Sequence, residues 1–321
     1  MIFGGLGLAL NITTIVILSC SFTLIITSLI VKYFQSSLSN FNAMSRSRIL
    51  CCIVILPWFV SALSVVALVF PDLFQWKGVW SSLHWHHIYN FSIFSWHGAS
   101  LIIFSSFCLL LLLSRLARAL KMHSSMNQLN SFSKSDVLSN GCLIIESSEV
   151  NAFTSGLFNA KAFITTGLNN RLSNDENTIV QLHELAHVKN SDPLRKYIFS
   201  LLASFYPLKI SEQLNASFSL AIEQLADSEV LKEIPNAALI AKTLVKVTRL
   251  QLNSSQIAPP ISENCSFINT PLESRIHYLL NEYQGKSFPY LIFIILVFSI
   301  SSISTLSVDL VHHSFEQLFS H

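Results

Sequence analysis

The chain has 321 residues, 51% of them hydrophobic and 12% charged, with a mean hydropathy of +0.52. Soluble proteins carry about 25% charged residues, so the composition excludes an ordinary soluble enzyme and requires a bilayer to bury part of the apolar excess. A formal net charge of +2 and a pI near 8.2 create no bulk basic field, so nucleic acid is not an expected direct partner.

Four stretches free of Asp, Glu, Lys and Arg are long enough to cross about 30 Å of hydrocarbon as helices. They run from about Leu6 to Val31, Ile49 to Phe70, Phe91 to Leu113 and Phe288 to Val308. The first lacks the basic start and the small-residue cleavage site of a signal peptide, so it reads as a span. Trp76, Trp80, Trp85 and Trp96 fall where an aromatic belt belongs. Lys32, Arg46 and Arg48 lie between the first two spans, and Arg115, Arg118 and Lys121 follow the third. The positive-inside rule makes those sides cytoplasmic. The chain is then a multi-pass protein of the inner (cytoplasmic) membrane with both termini outside. Residues 1–114 hold three spans, 115–287 form a cytoplasmic domain, 288–308 are the fourth span, and 309–321 are a short outer tail.

Cys20, Cys51, Cys52 and Cys108 sit in apolar runs, and no CxxC pair exists even with Cys142 and Cys265, so no disulfide framework or zinc–thiolate site is expected. The opening of the domain, Arg115 to Asp136, is polar and Ser-rich and reads as a basic helix entering a linker. Short β-like runs at Cys142–Ile145 and Ala162–Thr166, separated by the Asn- and Gly-bearing stretch Asn151–Asn159, predict a small sheet.

Ser173-Asn-Asp-Glu176 has the form of a capping box, which starts a helix. Ile179, Leu182 and Ala186 keep the helical period. The helix should stop near Asn190, with Asp192-Pro193 opening another. Tyr197 to Ile210 is apolar apart from Lys209 and too short to span, so it reads as a core or interfacial helix with Arg195 and Lys196 snorkelling at its head. With Leu214 to Ile222 it could bring the domain against the inner leaflet.

His183-Glu184-Leu185-Ala186-His187 places two imidazoles four apart on one face of the first of these helices. One zinc ion can be gripped by both rings at about 2.0–2.1 Å. Glu184 then lies beside the ion's open position, where it can take a proton from water as that water attacks a peptide carbonyl. A third ligand is available in Glu223, with Asp227 four residues on and placed to hold a ligating histidine by its other ring nitrogen. The candidate set is therefore His183, His187 and Glu223 for one Zn²⁺ per chain, Glu184 for catalysis and Asp227 behind a ligand.

These residues resemble the gluzincin-type membrane zinc metallopeptidases typified by the BlaR/MecR antirepressor proteases. The likeness covers about Val150 to Leu280 and the layout of three spans before the domain and one after. It rests on Asn151-Ala-Phe-Thr-Ser-Gly156, Thr165-Thr-Gly-Leu168, HELAH followed by Asp192-Pro-Leu194, and Glu223-x-x-Ala-Asp227. The Asn-Ala-Phe piece and the Ala-Asp pair are also similar to HtpX and CAAX prenyl proteases. The resemblance implies an α-helical membrane protein with four transmembrane helices and a mainly helical α+β zincin-like metalloprotease domain. In both groups the two histidines and the distal glutamate hold zinc, and the glutamate of HExxH is the base.

Two departures limit the likeness. The large penicillin-binding domain that follows the last span in BlaR/MecR sensors is replaced by Asp309 to His321, which argues against direct β-lactam sensing. The Thr-His-Pro piece of the HtpX-like group is replaced by Asn269-Thr-Pro271 ahead of Arg275. Arg275 reads either as a structural salt bridge or as a group that orients Asp227 or an oxyanion.

Three functions follow as expectations. In the first, a membrane zinc endopeptidase cuts a transcriptional repressor, or its own linker near Ser124–Asn140, in response to a signal; in the second, an HtpX-like protease clears damaged membrane proteins. In the third, a receptor uses zinc only as a brace. Expected partners are the lipid bilayer, a protein substrate and a second copy of the chain. His84, His86, His87, His312, His313 and His321 cluster on the outer side, where headgroup-level packing is favoured over metal sensing, and His97 is an intramembrane residue expected to face the bundle.

Overall fold

The computed structural model describes residues 1–70, 85, 88–137, 141–254, 271–281 and 285–319. A two-residue strand, β1 (Ile2–Phe3), leads into α1 (Gly5–Phe34) and then α2 (Ala43–Val69). A short strand, β2 (Asn90–Phe91), pairs antiparallel with β1 and leads into α3 (Trp96–Phe132). With the last helix, α10 (Tyr290–Phe319), these are four helices long and apolar enough to cross a membrane.

Four boundaries differ from the sequence reading, and at one of them the last helix continues past Val308 to Phe319, so the expected outer tail is helical over its described residues. The second helix begins at Ala43, before the apolar run, because the Asn42 side chain accepts from Ser45 N at 2.7 Å and caps it there. Arg46 and Arg48 are thereby helical. The third helix starts at Trp96 rather than Phe91, since Phe91 is engaged in β2. It then runs past Arg115 to Phe132, and a strand, β3 (Ser133–Val137), occupies what reads as a linker.

Lipid tails are as apolar as leucine, so helix association in a membrane relies on small and hydroxyl side chains. Ser19 on α1 stands 3.0 Å from Ser64 on α2 and 2.9 Å from Ser304 on α10, and Ser64 is 2.9 Å from Thr305. At the far end of this bundle Trp85 stacks on His312 and Trp96 on His97, each with ring centroids 3.8 Å apart. His97 Nε2 lies 3.4 Å from His312 Nδ1, so His97 does face the bundle. His84, His86, His87 and His321 lie outside the described residues.

The globular part opens with β3 and continues through β4 (Leu143–Ile145), β5 (Ala152–Ser155) and β6 (Lys161–Thr165). Their order across the sheet is β3-β4-β6-β5, with only the β4–β6 pair parallel. β5 falls inside the stretch Asn151–Asn159 that reads as a turn region. All four of its residues are buried, which removes the in–out alternation that marks a half-exposed strand. Gly156, at φ +111°, turns the chain back into β6, and a Cβ there would sit 2.6 Å from Asn159 O.

Six helices follow: α4 (Thr166–Asn169), α5 (Asn174–Lys189), α6 (Asp192–Ala203), α7 (Leu208–Glu233), α8 (Ala237–Ser254) and α9 (Leu272–Leu280). The capping box forms as expected, Ser173 N donating to Glu176 Oε2 at 2.8 Å and Glu176 N to Ser173 Oγ at 3.4 Å. Lys246 on α8 also reaches Glu176, at 2.5 Å. One apolar core joins Ala152 and Ile164 of the sheet to Ile179 and Val180 of α5, Val230 of α7, Leu244 of α8 and Leu279 of α9.

The single helix expected over Tyr197–Ile210 is instead two, because Pro207 lacks the N–H needed to continue one and caps the next. The tip of the resulting α6–α7 hairpin enters the bundle. Phe205 packs edge-on against Trp58, with ring centroids 4.9 Å apart. The Tyr206 hydroxyl donates to Ile53 O at 2.7 Å and accepts from Thr27 Oγ1 at 3.1 Å.

Ser173→Ala should destabilise the globular part by about 1 kcal/mol, read as a lower melting temperature in detergent. The Lys246 ammonium and the Ser173 backbone hold the Glu176 carboxyl below its ordinary range. Its contribution is therefore full above the unfolded carboxyl's pKa and is lost as pH falls through the lower folded value. Melting curves taken from about pH 5 to pH 3 should show this loss, and Glu176→Gln should remove it.

Candidate metal centre

The capping box orients α5 so that its buried face carries His183, Glu184 and His187, and α7 lies against that face with Glu223 and Asp227 one turn apart. All five side chains are buried. His183 Nε2 is 3.2 Å from His187 Nε2 and 3.3 Å from Glu223 Oε2, and His187 Nε2 is 3.6 Å from that same oxygen. A tetrahedral zinc with bonds of about 2.0–2.1 Å separates neighbouring ligand atoms by about 3.3–3.4 Å. The triangle has the size such an ion requires, and its two-imidazole, one-carboxylate donor set suits a divalent transition metal.

Each donor is held from behind. His183 Nδ1 stands 3.0 Å from Asp227 Oδ1, the placement the i, i+4 spacing predicts. His187 Nδ1 stands 2.9 Å from Asp192 Oδ2. Glu223 Oε1 accepts from Lys196 Nζ at 3.1 Å. A carboxylate or cation behind each ligand sets its tautomer and direction, as in well-formed metal sites generally.

Arg275 on α9 is 0% exposed. It grips Asp227 with two parallel bonds, Nε to Oδ2 at 2.8 Å and Nη2 to Oδ1 at 2.6 Å, and its Nη1 lies 3.5 Å from Glu223 Oε2. This is the bidentate geometry that makes an arginine–carboxylate pair strong. Of the two readings of Arg275, the geometry displays the salt bridge that orients Asp227.

Glu184, beside His183 on α5, lies against β5. Thr154 Oγ1 on β5 lies 2.8 Å from Glu184 Oε2 and 2.9 Å from Glu184 O. Burial raises the Glu184 carboxyl above its ordinary range, with the nearby His187 and His183 pulling it back in part. Burial also works against ionised Glu223, but Lys196 and His187 overcome it and hold that carboxyl well below the usual range. Two glutamates 39 positions apart in sequence are thus pushed in opposite directions by their surroundings. A cavity of about 210 Å³ opens against Lys196 and is walled by Pro193, Phe218, Ser219 and Leu157.

The structure brings His183, His187, Glu223, Asp227 and Arg275 together here, with Glu184 beside His183 on α5. The residues whose role was not legible are Thr154, Lys196 and Asp192. Thr154 depends on a strand that lacks alternation. Lys196 reads as a snorkelling surface lysine. Asp192 begins a new helix after Ser191 turns through a left-handed conformation at φ 53°, which no spacing rule anticipates.

Residues 112–256 match the family model described as Peptidase family M48. The match takes in α5 and α7 with both histidines, Glu184, Glu223 and Asp227, and stops short of α9 with Arg275. Set beside four helices long and apolar enough to cross a membrane among the described residues, this stretch is similar to the metallopeptidase domains of Peptidase family M48.

Proposed function

We propose that the protein is a membrane-embedded zinc endopeptidase whose domain faces the cytoplasm, with both termini outside, and that it cuts a protein substrate in a signalling role. The observation that carries the reading is a buried His–His–Glu triangle of zinc-ligand size with an intact Glu184 on the same helix. The signalling use rests on the sensor-like order of three spans, domain and span, and the substrate is a transcriptional repressor or the protein's own linker.

When bound, zinc supplies polarisation of the scissile carbonyl and acidity to the attacking water. Glu184 accepts the water's proton at its carboxylate and returns it to the leaving amine. A carboxyl raised by burial does both more readily than one at its ordinary value. Thr154 holds that carboxylate in one rotamer through its hydroxyl. Asp192 and Asp227 keep the far ring nitrogens of His187 and His183 occupied, so that the near ones present lone pairs to the metal. Arg275 keeps Asp227 ionised and fixed.

Detergent-purified protein should contain one zinc per chain and cleave casein or itself. His187→Ala should lose the metal. Glu184→Gln should keep it and lose about 10²- to 10⁴-fold in rate. Zinc with no difference in cleavage between wild type and Glu184→Gln would reduce the metal to a brace. A single cleaved partner supports signalling, whereas broad degradation of unfolded membrane proteins supports quality control. Thr154→Val removes one hydrogen bond to a charged group and should lower kcat by about tenfold or more with zinc content unchanged, checked by metal analysis beside steady-state rates.

A further inference from the structure

Two polar chains run from the first turns of α2 to the side chains around the metal triangle. In one, Arg46 Nη2 donates to Gln224 Oε1, and Gln224 directly follows Glu223 on α7. Gln224 Nε2 in turn donates to Ser274 O at 3.0 Å, next to Arg275 on α9. In the other, Arg195 on α6 donates through Nη2 to Ser47 Oγ at 3.3 Å and through Nη1 to Asp192 Oδ1 at 2.7 Å. The second oxygen of Asp192 is the one 2.9 Å from His187 Nδ1.

Arg46, Ser47, Gln224 and Asp192 are all buried. A span that served only as an anchor could end in water with no such contacts, and burying an arginine there costs free energy that only well-made bonds offset. From adjacent residues of one apolar helix, one chain reaches His187 on α5 through Asp192, and the other reaches α7 at Gln224, the residue after Glu223. The hairpin tip at Tyr206 ties α6 and α7 to the same helix deeper in the bundle, at Ile53.

We infer that Arg46, Ser47 and Arg195 are positioning residues through which the end of α2 sets the spacing of His187 and Glu223, and hence the grip on the metal. The inference rests on the metal-centre reading. One residue's rise of a helix is about 1.5 Å. A displacement of α2 of that size breaks both the Arg46–Gln224 and the Ser47–Arg195 bonds, because hydrogen bonds at 3 Å do not survive it. The membrane bundle, and not the peptidase domain alone, then determines how tightly the metal is held.

The test is Zn²⁺ affinity of the full chain in detergent, measured by competition with a chromogenic chelator, beside the melting temperature of the metal-free protein. Arg195→Ala and Arg46→Ala should weaken Zn²⁺ by about tenfold, within the range seen for groups behind metal ligands. Ser47→Ala, a mild change that keeps the fold, should weaken it severalfold. Ser47→Ala combined with Arg195→Ala should be no weaker than Arg195→Ala alone, since both remove one chain. Met44→Ala, an exposed residue of the same turn, should bind as wild type does. Unchanged affinity in Ser47→Ala and Arg195→Ala overturns the inference, as does a loss that merely follows the melting temperature of the metal-free protein. A wild type that binds no zinc fails at the earlier step, the metal centre itself.

Discussion

An ionised carboxylate taken out of water costs several kcal/mol unless a partner meets it, and α7 brings two of them, Glu223 and Asp227, into the interior against α5. The rest of the globular part is arranged to meet that requirement. Arg275 comes from α9 to neutralise Asp227, Lys196 comes from α6 to face Glu223, and His183 of α5 lies between the two carboxylates. Four helices, α5, α6, α7 and α9, are thus held by one charge cluster, and the apolar core of sheet, α5, α8 and α9 closes round its other side. The same concentration of buried carboxylates around two nitrogen donors is what attracts a dication, so the electrostatic need of the fold and the chemistry of the site are one arrangement.

The domain and the bundle are not separable units. The α6–α7 hairpin contributes Asp192, Lys196 and Glu223 at one end and Phe205 and Tyr206, docked among α1 and α2, at the other. From Leu208, beside the hairpin tip, to Glu223 is about 22 Å of α7 at 1.5 Å per residue, so one continuous helix runs from the helix bundle to Glu223. In the bundle, serine and threonine hydroxyls join α1, α2 and α10 where hydrophobicity offers no preference. Such contacts are modest individually. α2 bonds to α6 at Ser47 and to α7 at Arg46.

The parts legible in the sequence are those governed by local rules. The four apolar runs announce spans because hydrocarbon tolerates no unpaired backbone. Ser173 and Glu176 announce a helix start because the first turn has free N–H groups. The spacing of His183, Glu184 and His187 announces a metal face because four residues make one turn. The misread places are those where distant groups overrule local pattern. β5 has no alternation because both of its faces are covered. The break at Pro207 is paid for by the hairpin tip finding partners on α1 and α2. The linker stretch becomes helix and strand because α3 continues past the bilayer and β3 finds β4.

What the sequence by itself determined is the inventory: four membrane-length helices, an HExxH helix with its cap, and a distal Glu–Asp pair with the spacing to join it. These follow from periodicity, capping and hydropathy, each a property of residues within one or two turns of each other. Only the tertiary structure decided which oxygen faces which nitrogen, that the Thr154 hydroxyl holds Glu184, that Asp192 stands behind His187, and that α2 bonds to both α6 and α7. Those contacts join residues 5 to 178 positions apart, and their selection depends on the burial of charge in a common interior, a condition no local stretch of chain contains.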